Sequence, residues 1–215
     1  DLMKQGRPRE WVDSLGTQIK GLLPTQSASL KAIRECDGAL IAAGVGHGKS
    51  AVALLAGTVL GMECALVFTT ASTIGQLRRT FADWRRHYQM PPSVYFFTYD
   101  QLSSKNSSAL LSSYLRRYNP AKIVVVADEA HSLKLQDSAR TIRMMRFLGE
   151  NPEVRFVPMS GTMTSKSLRD FAHLAEMALR HFSPLPRTEH DLDAWAEAVD
   201  KDGRPNELHW NRVKP

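Results

Sequence analysis

Residues 39–50 read Ala-Leu-Ile-Ala-Ala-Gly-Val-Gly-His-Gly-Lys-Ser. The uncharged run 39–42 predicts a buried strand, and the spacing of apolar residues after Ser50 predicts a helix, so the glycines fall in the loop between them. Backbone N–H groups converge on an anion only where no side chain obstructs them. Gly44, Gly46 and Gly48 permit that convergence at the positive end of the following helix. Lys49 adds a cation for the β- and γ-phosphates, and Ser50 a hydroxyl for Mg²⁺. The stretch reads as a phosphate-binding P-loop in which Ala43 stands where the common pattern has its first glycine. Val45 and His47 fill its variable positions and are counted with the nucleotide-binding loop.

Outward from this loop the same rhythm recurs. Short apolar runs at 65–69, 94–98, 123–127 and 155–159 alternate with amphipathic stretches at 50–60, 73–88, 107–118, 138–148 and 167–181. A further helical stretch spans 24–36, with Leu30, Ile33 and Arg34 at helical spacing. A run as uniformly apolar as Ile123-Val124-Val125-Val126-Ala127 suits a strand covered on both faces. Alternation with helices then predicts right-handed crossovers and an α/β fold, a mostly parallel sheet flanked by helices on both faces. The expected organisation is a lead-in over 1–22 with Trp11 and Val12 as docking points, one nucleotide-binding body over 23–182, and a linker over 183–215. That linker is punctuated by Pro184, Pro186, Gly203 and Pro205 and carries one short helix near 191–199.

Composition narrows the classes. The chain has 215 residues, 43% hydrophobic and 23% charged, which excludes a disordered or fibrous protein. No stretch approaches the ~20 apolar residues of a membrane span, and the first residues lack a signal peptide's apolar core, so no membrane partner is expected. Cys36 and Cys64 have no metal-ligand spacing, and a reducing, cytoplasmic compartment is the expectation. Net charge is +6, distributed unevenly: residues 1–187 hold 24 basic and 15 acidic side chains, residues 188–215 hold 4 and 7. A basic body with an acidic tail points to a polyanionic partner such as nucleic acid. The opening on Asp1 and the unpunctuated ending suggest a segment of a longer protein.

The second chemical signal is Asp128-Glu129-Ala130-His131 at the end of the Ile123 run. A buried apolar strand does not end in adjacent carboxylates unless something offsets their desolvation, and a hydrated Mg²⁺ does so. Asp128 would hold the metal with Ser50, and Glu129, one position on, would polarise an attacking water.

In combination these residues resemble the first RecA-like lobe of helicase superfamily two, the DEAD/DEAH-type ATPases and Swi/Snf-like translocases. The family's P-loop, Ala-x-x-Gly-x-Gly-Lys-Ser/Thr, accommodates Ala43. Ser160-Gly161-Thr162 resembles the motif that links nucleotide state to the nucleic-acid site, with Met163 in place of the family's proline. Leu23-Pro24-Thr25-Gln26 resembles the adenine-reading segment, in which Gln26 would read the base edge, although Leu23 stands where an arginine is frequent. The resemblance covers about residues 22–179. It implies ATP and Mg²⁺ as ligands, Lys49, Asp128, Glu129 and His131 as catalytic residues, and His131 as a bridge from the metal edge to Ser160 or Thr162.

The same resemblance implies nucleic-acid contacts, DNA ahead of RNA, at Thr69 and Thr70, at Thr98, and at Gln76 and Arg79 on the next helix. Hydroxyls and main-chain donors at strand tips position a phosphate backbone without reading sequence; a threonine there also suits the cap of the following helix. The arginine pairs 78–79, 85–86 and 116–117, and Arg140, Arg143 and Arg146 three apart, suit either a polyanion or a solvated helix surface. Trp84, Tyr88 and Trp195 are candidate stacking platforms or core residues. In this family an arginine finger and half of the nucleic-acid track come from a second RecA-like lobe, and about thirty residues after Pro184 are too few for one. A monomeric lobe with slow hydrolysis is the expectation. Two other readings share the residues: a packaging-type, terminase-like motor, against which His131 and Gln26 argue, and a non-catalytic docking module, against which intact Lys49, Ser50, Asp128 and Glu129 argue.

Overall fold

A computed structural model describes residues 11–12, 18–19, 21–44, 46–104, 106–162 and 167–200. Two short strands, β1 (Trp11–Val12) and β2 (Gln18–Ile19), pair antiparallel. There follow α1 (Pro24–Glu35), β3 (Ile41–Ala42), α2 (Lys49–Val59), β4 (Cys64–Thr69), α3 (Ile74–Trp84) and β5 (Ser93–Thr98). Next come α4 (Tyr99–Ser103), α5 (Ser107–Arg117), β6 (Ile123–Asp128), α6 (Ala139–Glu150), β7 (Arg155–Ser160), α7 (Arg169–Leu179) and α8 (Glu189–Val199). The expected fold class is the one observed. Five strands form one all-parallel sheet in the order β3-β7-β6-β4-β5.

The uniformly apolar strands are explained by two cores, one on each face. Along β6, Val124 and Val126 enter a cluster with Leu30 and Ile33 of α1 and Ala53 and Leu54 of α2. Ile123, Val125 and Ala127 alternate into a second cluster with Leu111, Met144, Phe171 and Leu174 of α5, α6 and α7. β4 divides the same way, Ala65 and Val67 to the first core, Leu66 and Phe68 to the second. A fully buried aliphatic side chain contributes about 1.5–3 kcal/mol, so neither face of these strands tolerates a polar residue before the strand ends.

Strand order decides where the chemistry lies. The chain starts at the β3 edge, crosses to β4, continues outward to β5, and returns to lay down β6 and then β7 between β6 and β3. The carboxyl-terminal tips of β3, β7 and β6 therefore sit side by side, carrying the glycine loop, Ser160 and Asp128 to one edge of the sheet.

One helix goes beyond the periodicity reading: α4, five residues immediately after β5. Its signal is local, a Thr98-x-x-Gln101 pattern in which the Gln101 side-chain oxygen accepts from the Thr98 N–H at 2.8 Å. The helix expected near 191–199 is α8. It packs on α7, with an Arg169–Asp193 ion pair at 2.9 Å and the Asp200 carboxylate accepting from the Leu168 N–H at 2.9 Å, and it carries buried Ala194, Ala196 and Ala198. Gly203 and Pro205 lie outside the described residues, as do the side chains of Trp11 and Val12. No helix among the described residues is long and apolar enough to cross a membrane.

Candidate nucleotide and nucleic-acid site

The glycine loop connects β3 to α2. Gly48, the residue before α2, has φ +69° and ψ +37°, and Gly46 has φ +84°, left-handed conformations that a side chain disfavours. The Lys49 side chain is only 9% exposed. Its ammonium donates to the carbonyls of Ala43 at 3.1 Å and Gly44 at 3.3 Å. Ser50 follows in the first turn of α2, and exposed His47 donates its N–H to the Gly44 carbonyl at 3.4 Å. Val45 lies outside the described residues. From α1, Gln26 reaches the loop: its Nε2 donates to the Gly48 carbonyl at 3.2 Å, while its Oε1 accepts from the Leu23 N–H at 2.8 Å.

Two strands away, Asp128 ends β6 and is the one buried carboxylate among the described residues, 6% exposed. Burial holds its carboxyl above the usual range, and the neighbouring Glu129 charge adds to this; a hydrogen bond from Thr69 and the charge of Lys49 oppose it. Thr69 Oγ1 donates to Asp128 Oδ2 at 3.1 Å. The buried Tyr99 phenol donates to the Asp128 carbonyl at 2.7 Å, fixing the strand tip, and burial pushes that phenol well above its ordinary pKa.

Immediately beyond, Glu129 adopts φ +55°, a conformation costing a non-glycine residue on the order of 1 kcal/mol. With that turn its carboxylate spans two partners, Lys49 Nζ at 3.7 Å and His131 Nδ1 at 3.2 Å. His131 Nδ1 also lies 3.3 Å from the hydroxyl of fully buried Ser160, and that hydroxyl accepts from the Thr162 N–H at 3.2 Å. Gly161 closes the circle: a Cβ there would stand 3.2 Å from the Ala43 carbonyl and 3.3 Å from Lys49 Nζ. The loop lysine, the carboxylates, the histidine and the Ser160–Thr162 segment thus form one connected polar network.

The residues suit a phosphate-bound Mg²⁺ better than a protein-only cation site. Among the described residues no group of three or more His, Cys, Asp or Glu is placed to hold a metal. A hydrated ion held by one carboxylate, one hydroxyl and the phosphates of a ligand needs no such group, and Asp128 and Ser50 would be that minimal pair.

The nucleic-acid candidates fare unequally. Thr69 does not belong to an accessible edge: it is fully buried, its hydroxyl held between Asp128 and Thr73. Its place is beneath the acidic pair, where it stabilises the carboxylate. Thr98 is half-buried, ends β5 and caps α4. Thr70 is half-buried, its hydroxyl within 2.9 Å of those of Ser72 and Thr73. Gln76 and Arg79 are exposed on α3 and free to meet a strand. Arg143 departs from its neighbours in the 140/143/146 set, donating to the Leu102 carbonyl at 2.6 Å and so tying α6 to α4. Trp84 is 9% exposed and stacks on Tyr88 at 4.9 Å between ring centres, part of the core and not a platform for bases. Tyr99 is the residue that the sequence reading missed; a buried phenol beside the acidic pair has no signature of its own.

This arrangement, a P-loop at one tip of a parallel sheet with an acidic pair two strands away and a third strand between, is the RecA-like architecture. Among solved structures the chain is similar to the Sulfolobus solfataricus SWI2/SNF2 ATPase core solved in complex with double-stranded DNA. That likeness has a TM-score of 0.59 at 14% identity, covering 90% of this chain and 42% of that one. A hypothetical ATP-dependent RNA helicase from Sulfolobus tokodaii is similar with a TM-score of 0.53 at 16% identity, covering 75% of this chain and 52% of that one. The chain spans about half the length of these proteins, or less. No protein-family model and no curated protein sequence matches it. The fold is therefore RecA-like.

Proposed function

We propose that the chain is the ATP-binding lobe of a nucleic-acid-dependent ATPase of the helicase or translocase type. The observation that carries this reading is the convergence of Lys49, Glu129, His131 and Ser160 in one network at the strand tips. The glycine loop and Lys49 would bind and orient the triphosphate. Ser50 and Asp128 would hold a Mg²⁺, which when bound supplies charge that neutralises the phosphates. Glu129 would accept a proton from the water in line with the γ-phosphorus. Lys49 holds the Ala43 and Gly44 carbonyls with two of its three N–H donors, which leaves one for a phosphate oxygen.

Coupling follows from the same contacts. His131 meets Glu129 and Ser160 through one nitrogen, so a change in Glu129 on hydrolysis reaches the Ser160–Thr162 segment through a single side chain. Exposed Gln76 and Arg79 would lie along the nucleic-acid track. Nucleic acid is the proposed partner, and DNA the one to test first; one similar core was solved with DNA and another belongs to an RNA helicase. The family's arginine finger, worth about 10³–10⁵ in rate where P-loop enzymes use one, would come from a second lobe. The test is steady-state phosphate release with and without duplex DNA: the chain alone should turn over slowly and unwind nothing, and fast DNA-stimulated turnover would contradict the need for a second lobe.

A further inference from the structure

Glu129 can act as a base only from the place its backbone gives it. There φ is +55° and ψ +49°, and this left-handed turn brings the carboxylate between Lys49 and His131. A residue with a Cβ keeps such a conformation only where its surroundings over-determine it. The φ of Glu129 is the rotation between its Cα and the planar peptide unit it shares with Asp128. A contact that fixes the direction of the Asp128 carbonyl therefore fixes one end of that rotation.

The Tyr99 phenol makes that contact, donating to the Asp128 carbonyl at 2.7 Å. Tyr99 follows β5, which is separated from β6 by β4, so the phenol reaches across the β4 tip. Its mount is held at both ends. Thr98 and Gln101 cap the start of α4, and Arg143 of α6 donates to the carbonyl of fully buried Leu102 at 2.6 Å. The ring lies 6.4 Å from that of Phe68, and Tyr99 is 2% exposed, too deep to touch a ligand itself. Loss of the phenol's hydrogen bond frees the peptide unit, and the strain at Glu129 then favours its turning over. One hydrogen bond and that strain are of similar size, so a single hydroxyl decides the balance.

We propose that Tyr99 is a positioning residue, whose hydroxyl holds the Asp128 carbonyl and so keeps Glu129 in the turn from which its carboxylate meets the attacking water. The proposal deepens the functional reading above and rests on Glu129 as the base. Tyr99→Phe removes the hydroxyl and leaves the ring, and two measurements on this variant test the proposal. In the ligand-free chain, amide hydrogen exchange over residues 129–133 should quicken by about threefold or more, the population shift that one lost hydrogen bond supports, with residues 124–127 unchanged. At saturating ATP and Mg²⁺, phosphate release should slow by about threefold or more while ATP affinity changes by a smaller factor. Unaltered exchange, a smaller loss of rate, or an affinity loss equal to the rate loss each overturns the proposal. Tyr99→Met, which also lacks the hydroxyl, replaces the phenylalanine variant if that one does not fold; failure of both assigns the hydroxyl to the fold as a whole and overturns the proposal too. If wild type releases no phosphate, the functional reading fails and takes the effect on rate with it, while the exchange measurement, which needs no nucleotide, still decides whether Tyr99 holds the turn.

Discussion

Replacing Gly48 by alanine applies two separable strains at the centre of the site. The first is conformational: φ +69° at the residue before α2 costs a residue with a Cβ about 1–2 kcal/mol. The second is a collision, because the new methyl group meets the amide of Gln26. Gln26 must withdraw and give up its bond to the Gly48 carbonyl, worth about 0.5–1.5 kcal/mol. Together these destabilise the fold by about 1.5–3.5 kcal/mol, which for a protein of this size lowers the thermal midpoint by roughly 3–14 °C. Gly46 supplies the control. It also has a positive φ, +84°, yet a Cβ there meets nothing within 4 Å, so Gly46→Ala carries the conformational penalty alone. Circular dichroism melts of both variants, repeated in a Gln26→Ala background, separate the effects. Gly48→Ala should exceed Gly46→Ala by about 1 kcal/mol, the strength of one lost hydrogen bond, and the excess should vanish once Gln26 is truncated. Equal penalties in the wild-type background, or an excess that survives Gln26→Ala, would show that Gln26 does not brace the loop.

Thr69→Val keeps the volume but removes the hydroxyl bonded to Asp128; it should cost about 1.5–3 kcal/mol in urea unfolding and leave DNA affinity unchanged, whereas weakened DNA binding at unaltered stability would return Thr69 to the nucleic-acid edge. Burial raises the Asp128 pKa, so between the ordinary carboxylate pKa and its raised value the folded state binds more protons than the unfolded. Stability therefore falls as pH rises through that window and levels off above it. Asp128→Asn should accordingly unfold at higher urea than wild type at pH 7 and lose that advantage in acid, while nucleotide hydrolysis disappears; a variant less stable than wild type at neutral pH would contradict the desolvation argument. Glu129→Gln should bind nucleotide yet slow phosphate release by about 10²–10⁴, the range for removal of a general base, and a rate within fivefold of wild type would exclude Glu129 from that role.

Much of the fold was legible because buried parallel strands announce themselves. Ile123-Val124-Val125-Val126-Ala127 has no polar position, and only a strand sandwiched between two cores needs that pattern. The glycine loop was legible for a related reason, since Gly46 and Gly48 occupy backbone conformations that other residues avoid. What was not legible depends on neighbours distant in sequence. Thr69 looks like any hydroxyl at a strand tip until β4 is seen to lie beside β6, which places it under Asp128. Arg143 has the spacing of a solvated helix face, and only the presence of α4 gives it the Leu102 carbonyl as a partner. The two hydrogen bonds of Gln26 arise from the capped start of α1 meeting the glycine loop, a contact across 22 residues that no local pattern encodes.

The central claim is that one triphosphate sits between the glycine loop and the acidic pair, held by Lys49. Its most direct test is equilibrium titration of wild type and Lys49→Ala with ATP in Mg²⁺. A charge-assisted contact of about 1.5–3 kcal/mol predicts saturable binding by wild type and a loss of roughly tenfold to more than a hundredfold in the variant. Identical affinities for the two proteins would mean that the ligand, if one binds, lies elsewhere.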